Sequence, residues 1–134
     1  MNSTLTFQAS ALVAAGGAFG AWLRFLATHL CAALLGPARA AAFPWATLSA
    51  NVLGSLAMGL LVGWLARHGG GEAWRLLLGV GVLGGFTTFS SFALEVVLMA
   101  ERGAMIHAAL YIALSLIAGF GGLLGGLLLM RGAA

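Results

Sequence analysis

The stretch Gly84–Phe92, which reads Gly-Gly-Phe-Thr-Thr-Phe-Ser-Ser-Phe, lies in the middle of an apolar segment long enough to cross a membrane. Two glycines, four hydroxyl side chains and three phenylalanines are poorly suited to a helix that faces lipid. Irregular backbone at membrane depth is tolerated only where it is buried in protein or lines a polar cavity. The stretch therefore predicts a functional site within a membrane protein.

The composition of the whole chain agrees with a membrane setting. Of its 134 residues 62% are hydrophobic and only 7% are charged, whereas soluble domains carry roughly a quarter of charged residues. We therefore expect an all-α integral membrane protein. The net charge of +3 is small and dispersed, which argues against a nucleic-acid partner. The sequence contains neither a recognisable nucleophile–base pair nor a cluster of metal ligands, so we do not expect an enzyme.

Four apolar segments are long enough to span the bilayer, which takes about 20 residues each. They cover residues 7–35, 45–66, 74–99 and 104–130, so we treat 1–134 as a single transmembrane domain. The short links between them predict that sequential helices are antiparallel neighbours. The third helix contains Gly84–Phe92 and is expected to break in mid-membrane.

The charges near the helix ends are almost balanced between the two sides of the membrane. Arg67, Arg75 and Arg131 lie on the side of the N-terminus, and Arg39 and Arg102 lie on the other. This near-balance gives little bias under the positive-inside rule and allows insertion in both orientations. Two opposite copies could then pair, as inverted repeats do within one chain.

Polar side chains form a row on the second helix. Thr47, Asn51 and Ser55 are spaced by four residues and share one helix face. A polar row in lipid must find partners. Two interpretations remain open: the row joins helices by hydrogen bonds, or it lines a pore with N–H and O–H donors for a small anion.

The quoted stretch itself admits a functional and a plain interpretation. Phe89 and Phe92 share a face, and the positive edge of an aromatic ring can contact an anion weakly enough to release it, although simple packing is the alternative. A break formed by Gly84, Gly85, Thr87 and Thr88 would free backbone carbonyls that can hold Na⁺. Hydroxyls of the threonines could instead satisfy a simple kink.

Ionisable residues within the spans are costly in lipid. Arg24 of the first span either reaches the interface or faces a water-filled vestibule. For Glu95, near the end of the third span, a polar or arginine contact in a vestibule is favoured over proton transfer. Tyr111 and Ser115 share a face of the fourth span and add two hydroxyls.

Taken together, these residues resemble the Fluc (CrcB) family of bacterial fluoride channels over nearly the whole chain. The ordered set is specific, since it combines stretches from three spans with the Thr-Thr-Phe-Ser-Ser-Phe core. The matching pieces are 17–24, 47–55, 84–92, Glu95, 101–103, Tyr111 and Ser115.

The resemblance implies a dual-topology antiparallel homodimer in the bacterial cytoplasmic membrane. Such a dimer carries two pores that passively export fluoride, and a structural Na⁺ lies at its centre. The partners implied are fluoride, a second inverted copy and the lipid bilayer. Family members often carry a further hydroxyl one turn after the position of Ser115, where this chain has Gly119.

The resemblance also implies a role for each site residue. Asn51 would donate to fluoride, and Phe89 and Phe92 would present ring edges to it. Arg24 and Glu95 would face the vestibule, and the backbone carbonyls of Gly84 and Thr87 would hold Na⁺. The hydroxyl groups of the pore would come from Thr47, Ser90, Ser91, Tyr111 and Ser115.

Two other functions were weighed against a channel. A small multidrug-type antiporter also has four spans and dual topology, but it needs a titratable carboxylate in the first span, whose ionisable residues here are Arg24 and His29. A non-transporting assembly subunit would explain the glycines. It would leave Asn51 and the helix break without a purpose.

Overall fold

The computed structural model describes residues 3–69 and 71–132, and throughout this part of the chain the regular structure is helical, without strands. Four helices are long and apolar enough to cross a membrane: Thr4–Leu35, Trp45–His68, Glu72–Glu101 and Met105–Gly132. They are called the first to fourth spans below. The all-α, four-span prediction is confirmed, and the protein is a multi-pass membrane protein.

The first and second spans are connected through a short interfacial helix that the sequence did not predict. Helix α1 (Ser3–Leu35) ends before Gly36, whose φ of 79° requires a residue without a Cβ. Helix α2 (Pro37–Ala42) follows, and α3 (Trp45–His68) begins directly after Pro44. The chain therefore turns back into the membrane after only one and a half turns of helix.

The third span is a composite of four helical pieces. It begins with α4 (Glu72–Trp74), continues as a π-helix over Arg75–Leu83 and ends its first half with α5 (Gly84–Phe86). Its second half is α6 (Phe89–Glu101), and α7 (Met105–Gly132) forms the fourth span. The π-helix has no counterpart in the sequence prediction.

The break in the third span is confirmed, and it is confined to the two threonines of the four residues expected to form it. Gly84 and Gly85 remain helical, and the two residues with extended backbone are Thr87 (φ −81°, ψ 156°) and Thr88 (φ −150°, ψ 121°). Gly85 instead allows close contact with the first span, because a Cβ there would collide with the carbonyl oxygen of Gly17. The threonines, not the glycines, therefore interrupt the helix.

A glycine seam joins the first and third spans. A Cβ on Gly16 would collide with the Leu77 carbonyl, one on Gly20 with the Val82 carbonyl, and one on Gly81 would lie 2.9 Å from the Cα of Gly16. Small residues at this spacing let two backbones touch, and packing then replaces the hydrophobic effect that lipid cannot supply. The contacts advance together along both helices, so these two spans run parallel.

A second seam joins the second and fourth spans in the same manner. A Cβ on Gly59 would collide with the Leu123 carbonyl, and one on Gly126 with the Leu56 carbonyl. Alternate spans thus make the closest contacts in the chain. Sequential spans also contact one another, as the short links predicted, but the glycine faces make the alternate spans the closer partners.

Candidate functional site

The break is held by its own threonine side chains. Thr87 donates both its backbone N–H (3.0 Å) and its hydroxyl (2.9 Å) to the carbonyl of Leu83. Thr88 is the N-cap of α6: its hydroxyl oxygen accepts from the backbone N–H of Ser91 at 3.2 Å. The two hydroxyls therefore terminate one helix and start the next.

Asn51 of the second span forms a two-point pair with the break. Its Oδ1 accepts from the backbone N–H of Thr88 at 2.7 Å, and its Nδ2 donates to the Thr88 carbonyl at 3.0 Å. The amide thus completes the hydrogen bonding of a residue that lies outside both helices. One of the two amide N–H groups is not used in this pair, so Asn51 can bind the break and still offer a donor.

The break releases four backbone carbonyls, those of residues 84–87, from helical hydrogen bonding, because the N–H four residues later donates to none of them. The Thr88 N–H would be the helical donor to Gly84, but it is taken by Asn51. The Ser91 N–H would be the donor to Thr87, but it is taken by the Thr88 hydroxyl. Gly84 and Thr87, the two residues predicted to hold Na⁺, are thus among the four whose carbonyls lose their usual partner, and the carbonyl of Gly85 accepts from Arg24 instead.

Arg24 contacts the same region from the first span. Its Nε donates to the carbonyl of Gly85 at 3.3 Å, and the side chain is half-buried. Arg24 therefore stays beside the break, and the positive charge lies near mid-span. The prediction of Arg24 in a vestibule named no such partner.

Phe89 and Phe92 form the aromatic part of the site. Their ring centroids are 5.8 Å apart with the planes inclined by 46°, which confirms the shared face. Phe92 also packs against Tyr111 at 5.0 Å, whereas the side chain of Phe89 is 79% exposed. One ring is thus supported within the chain and the other projects from it.

Glu95 accepts two short hydrogen bonds from hydroxyls that were predicted to line the pore. Thr47 Oγ1 donates to its Oε1 at 2.7 Å, and the hydroxyl of the fully buried Tyr111 donates to its Oε2 at 2.7 Å. These three residues are called the Glu95 cluster. Both hydroxyl protons point at the carboxylate, a pairing over 48 and 16 residues that the sequence did not reveal. The role of Thr47 and Tyr111 in a pore stays a prediction.

The remaining hydroxyls lie in two places. Ser90 and Ser91 surround the Thr88 hydroxyl at 3.3 and 3.2 Å. Ser115 is separate: its Oγ is buried without a hydrogen-bond partner among the described residues. Gly119, one turn further, leaves room beside Ser55, whose Oγ would lie 3.8 Å from an added Cβ.

A pocket of about 280 Å³ opens at the break. Its polar wall comes from the second span and the break, and its apolar wall from Phe89 and neighbours. The lining residues are Asn51, Gly54, Ser55, Met58, Thr87, Thr88, Phe89 and Leu123. The structure therefore brings Asn51, Thr87 and Phe89 to one cavity, while Thr47, Glu95 and Tyr111 form a separate cluster behind Phe92.

Comparison with known proteins assigns the chain to a family. Residues 11–127 match the family described as CrcB-like protein, Camphor Resistance (CrcB). A fluoride-specific ion channel FluC from Novosphingobium aromaticivorans is 60% identical over 126 residues, covering 94% of this chain and 98% of the relative.

Two further relatives carry the same name. One from Erythrobacter litoralis is 47% identical over 133 residues, covering 98% of both chains. One from Phenylobacterium zucineum is 52% identical over 123 residues, covering 87% of this chain and 94% of the relative. The resemblance noted in the sequence is confirmed: the chain belongs to the CrcB family, a family of fluoride ion channels and not of enzymes.

Proposed function

We propose that this protein is a fluoride-selective channel that passively exports F⁻ across the bacterial cytoplasmic membrane and lowers cytoplasmic fluoride. The observation that carries the proposal is the meeting of an exposed Phe89 ring with Asn51 in one pocket at the helix break. The names of the relatives, fluoride-specific ion channels, support the choice of anion.

The chemistry of this pocket suits a small anion that must be bound and released. The unused N–H of Asn51 supplies one directional donor, and the ring edge of Phe89 supplies partial positive charge without a full cation. Phe92 packs against Phe89 just outside the lining and would extend this aromatic surface along the path. A full charge at the same place would hold F⁻ too firmly for conduction, which needs weak or multiple sites. Arg24, tied to Gly85, adds attraction from a distance.

A second copy of the chain completes the site in our proposal. Phe89 is exposed and Ser90 carries an exposed hydroxyl in the middle of the third span, where lipid cannot satisfy polar groups. A partner that covers this face would shield both. The near-balance of arginines on the two sides supports an antiparallel arrangement, which would give two equivalent pores.

The carbonyls of Gly84 and Thr87 fit a Na⁺ at the centre of such a dimer. Na⁺ takes hard oxygen ligands, and these two oxygens have lost their helical donors to Asn51 and Thr88. One chain offers these two carbonyls at the break, so a pair of chains would offer four. The ion would contribute to assembly by holding two breaks together and would take no part in moving F⁻.

The direction of transport follows from the membrane potential and from the acid chemistry of fluoride. In an acidic medium F⁻ is protonated to neutral HF, which crosses the membrane and dissociates in the less acidic cytoplasm, where the anion is trapped. A potential that is negative inside favours exit by about 2.3 kcal/mol per charge for each 100 mV. A passive pore therefore suffices for protection, and no energy source is needed.

Efflux from reconstituted liposomes tests the proposal. Vesicles loaded with F⁻ should release it when K⁺ and valinomycin balance the charge, and vesicles loaded with Cl⁻ should not release it above the protein-free rate. Equal Cl⁻ release would refute selectivity. Release that requires an opposing proton gradient would favour an antiporter, the alternative considered from the sequence.

The antiparallel arrangement has its own test. In a Cys31→Ala background, Glu101→Cys places a thiol at the exposed end of the third span and leaves the balance of arginines unchanged. A membrane-impermeant maleimide added to intact cells should label about half of the copies, and lysis should expose the other half, because dual topology divides them equally. Labelling of all copies or of none from outside would show a single orientation.

A further inference from the structure

A second pocket lies at the membrane end that carries Arg39 and Arg102. It has a volume of about 460 Å³ and is lined by Leu35, Arg39, Ala42, Phe43, Trp45 and His107. The first span, α2, the second span and the fourth span all contribute to it. It shares no residue with the pocket at the helix break.

The charge of this pocket is positive and uncompensated. Arg39 is exposed in the last turn of α2 and forms no ion pair or hydrogen bond within residues 3–69 and 71–132. His107 adds an imidazole from the first turn of α7, and no acidic residue lines the pocket. Arg102, at the same end, differs because its Nε donates to the Leu98 carbonyl at 3.0 Å.

The rest of the lining is apolar and lies at the depth of the membrane interface. Leu35 ends the first span, Trp45 begins the second, and the ring of Phe43 packs at a tilt against that of Trp45 with centroids 4.6 Å apart. Aromatic rings at a span end mark the headgroup level of the bilayer. Arg39 beside these apolar residues can bind an anionic headgroup while the apolar surface contacts the attached hydrocarbon. The pocket therefore suits an anionic amphiphile better than a free anion.

The pocket is also separated from the Glu95 cluster. Phe43 lines the pocket and packs edge-on against Tyr111, with ring centroids 5.4 Å apart at 75°. None of the three residues of the Glu95 cluster lines the pocket, so the pocket is not a direct extension of that cluster.

We propose that this pocket binds the headgroup of an anionic phospholipid. Arg39 and His107 contact the phosphodiester, and the acyl chains follow the apolar surface of Leu35 and Trp45. Basic pockets between membrane helices are the sites at which anionic headgroups are held, and Arg pairs with phosphate in a two-point geometry. The proposal does not depend on the ion that the channel conducts.

Native mass spectrometry of the full chain tests the proposal. The protein is released from micelles that contain equal amounts of phosphatidylglycerol and phosphatidylcholine, and bound lipids are counted by mass. We expect phosphatidylglycerol to be retained preferentially, with an affinity that falls about tenfold in Arg39→Gln. His107→Gln should give a smaller fall, and Arg39→Lys should keep most of the binding because the charge remains.

Arg102→Gln is the matched control, since it removes an arginine at the same end but outside the pocket, and it should bind lipid as the unchanged protein does. An equal loss in Arg102→Gln, or equal retention of both lipids, would overturn the proposal. Displacement of phosphatidylglycerol by millimolar inorganic phosphate would indicate a site for free anions instead. Slower F⁻ efflux by Arg39→Gln in pure phosphatidylcholine vesicles would assign Arg39 to ion entry and also overturn it.

Discussion

The first glycine seam and the helix break both lie on the third span, but they stabilise it in opposite ways. Along the seam, Gly81 and Gly85 meet Gly16 and Gly17 so closely that an added Cβ would strike backbone atoms. At the break two residues later, the backbone leaves the helix and side-chain groups of Asn51 and Thr88 satisfy it. The spans therefore pack together where side chains are absent, whereas the site is held together by a few polar side chains.

This comparison predicts different failures in the two regions. Changes at the close backbone contacts of a seam should strongly destabilise the protein. Changes at the break should leave a folded protein with altered conduction or modestly lower stability.

The largest effect is expected in the first seam. Gly20→Ala places a Cβ against the carbonyl of Val82 and 2.8 Å from the backbone N of Phe86, and neither backbone can yield. We expect destabilisation of about 3 kcal/mol, the upper range for overpacking, seen as loss of monodisperse protein in size exclusion and a lower Tm.

Gly17→Ala is the matched control for this prediction. Its added Cβ meets no heavy atom within 4 Å, so its stability should stay within about 1 kcal/mol of the unchanged protein. If both variants behave alike, close backbone contact is not what holds the first and third spans together.

A smaller effect, on conduction, is expected at Asn51. Asn51→Asp keeps the acceptor for the Thr88 N–H but loses the Nδ2 donor and turns a carboxylate towards the Thr88 carbonyl. A hydrogen bond to a charged group is worth about 1.5–3 kcal/mol, so F⁻ efflux should fall by about ten- to a hundredfold. Ser49→Ala, at an exposed position of the same helix, should conduct normally, and unchanged efflux of Asn51→Asp would remove Asn51 from the pore.

The smallest effect is expected at the N-cap of α6. Thr88→Ala removes the hydroxyl that accepts from the Ser91 N–H, and loss of such a cap costs about 1 kcal/mol. Thermal unfolding should show a modest decrease in Tm, while Thr88→Ser should restore it because the oxygen is kept. A Thr88→Ser variant as unstable as Thr88→Ala would show that the methyl group, not the cap, matters.

The sequence predicted the elements of this fold whose cause is local. Hydropathy located the four spans, Gly36 and Pro37 located the end of the first, and the spacing of Phe89 and Phe92 gave their shared face. The sequence did not predict the π-helix, since its hydrogen bonds depend on how Arg75–Leu83 packs against the first span. It located the break correctly at Thr87 and Thr88 but also included Gly84 and Gly85, which stay helical because Gly85 serves close contact with Gly17.

The sequence did not predict the hydrogen-bond partners of the polar residues, because these partners are far apart along the chain. Asn51 and Thr88 are 37 residues apart, and Thr47 and Glu95 are 48 apart. The row of Thr47, Asn51 and Ser55 was visible as a pattern, and the sequence left open whether it joined helices or lined a pore. The structure shows that Asn51 joins helices and retains one donor, so the two interpretations are compatible.

If the rings of the aromatic pair at the break contact fluoride as it passes, then removal of one ring should slow conduction. F⁻ efflux by Phe92→Leu measures this. Phe120→Leu is the matched control, because Phe120 is a lipid-exposed phenylalanine of the fourth span away from the break. We predict that Phe92→Leu remains monodisperse and loses at least about tenfold in efflux, since an aliphatic group offers no positive edge, while Phe120→Leu conducts normally. Efflux by Phe92→Leu equal to that of the unchanged protein would show that the aromatic pair takes no part in conduction.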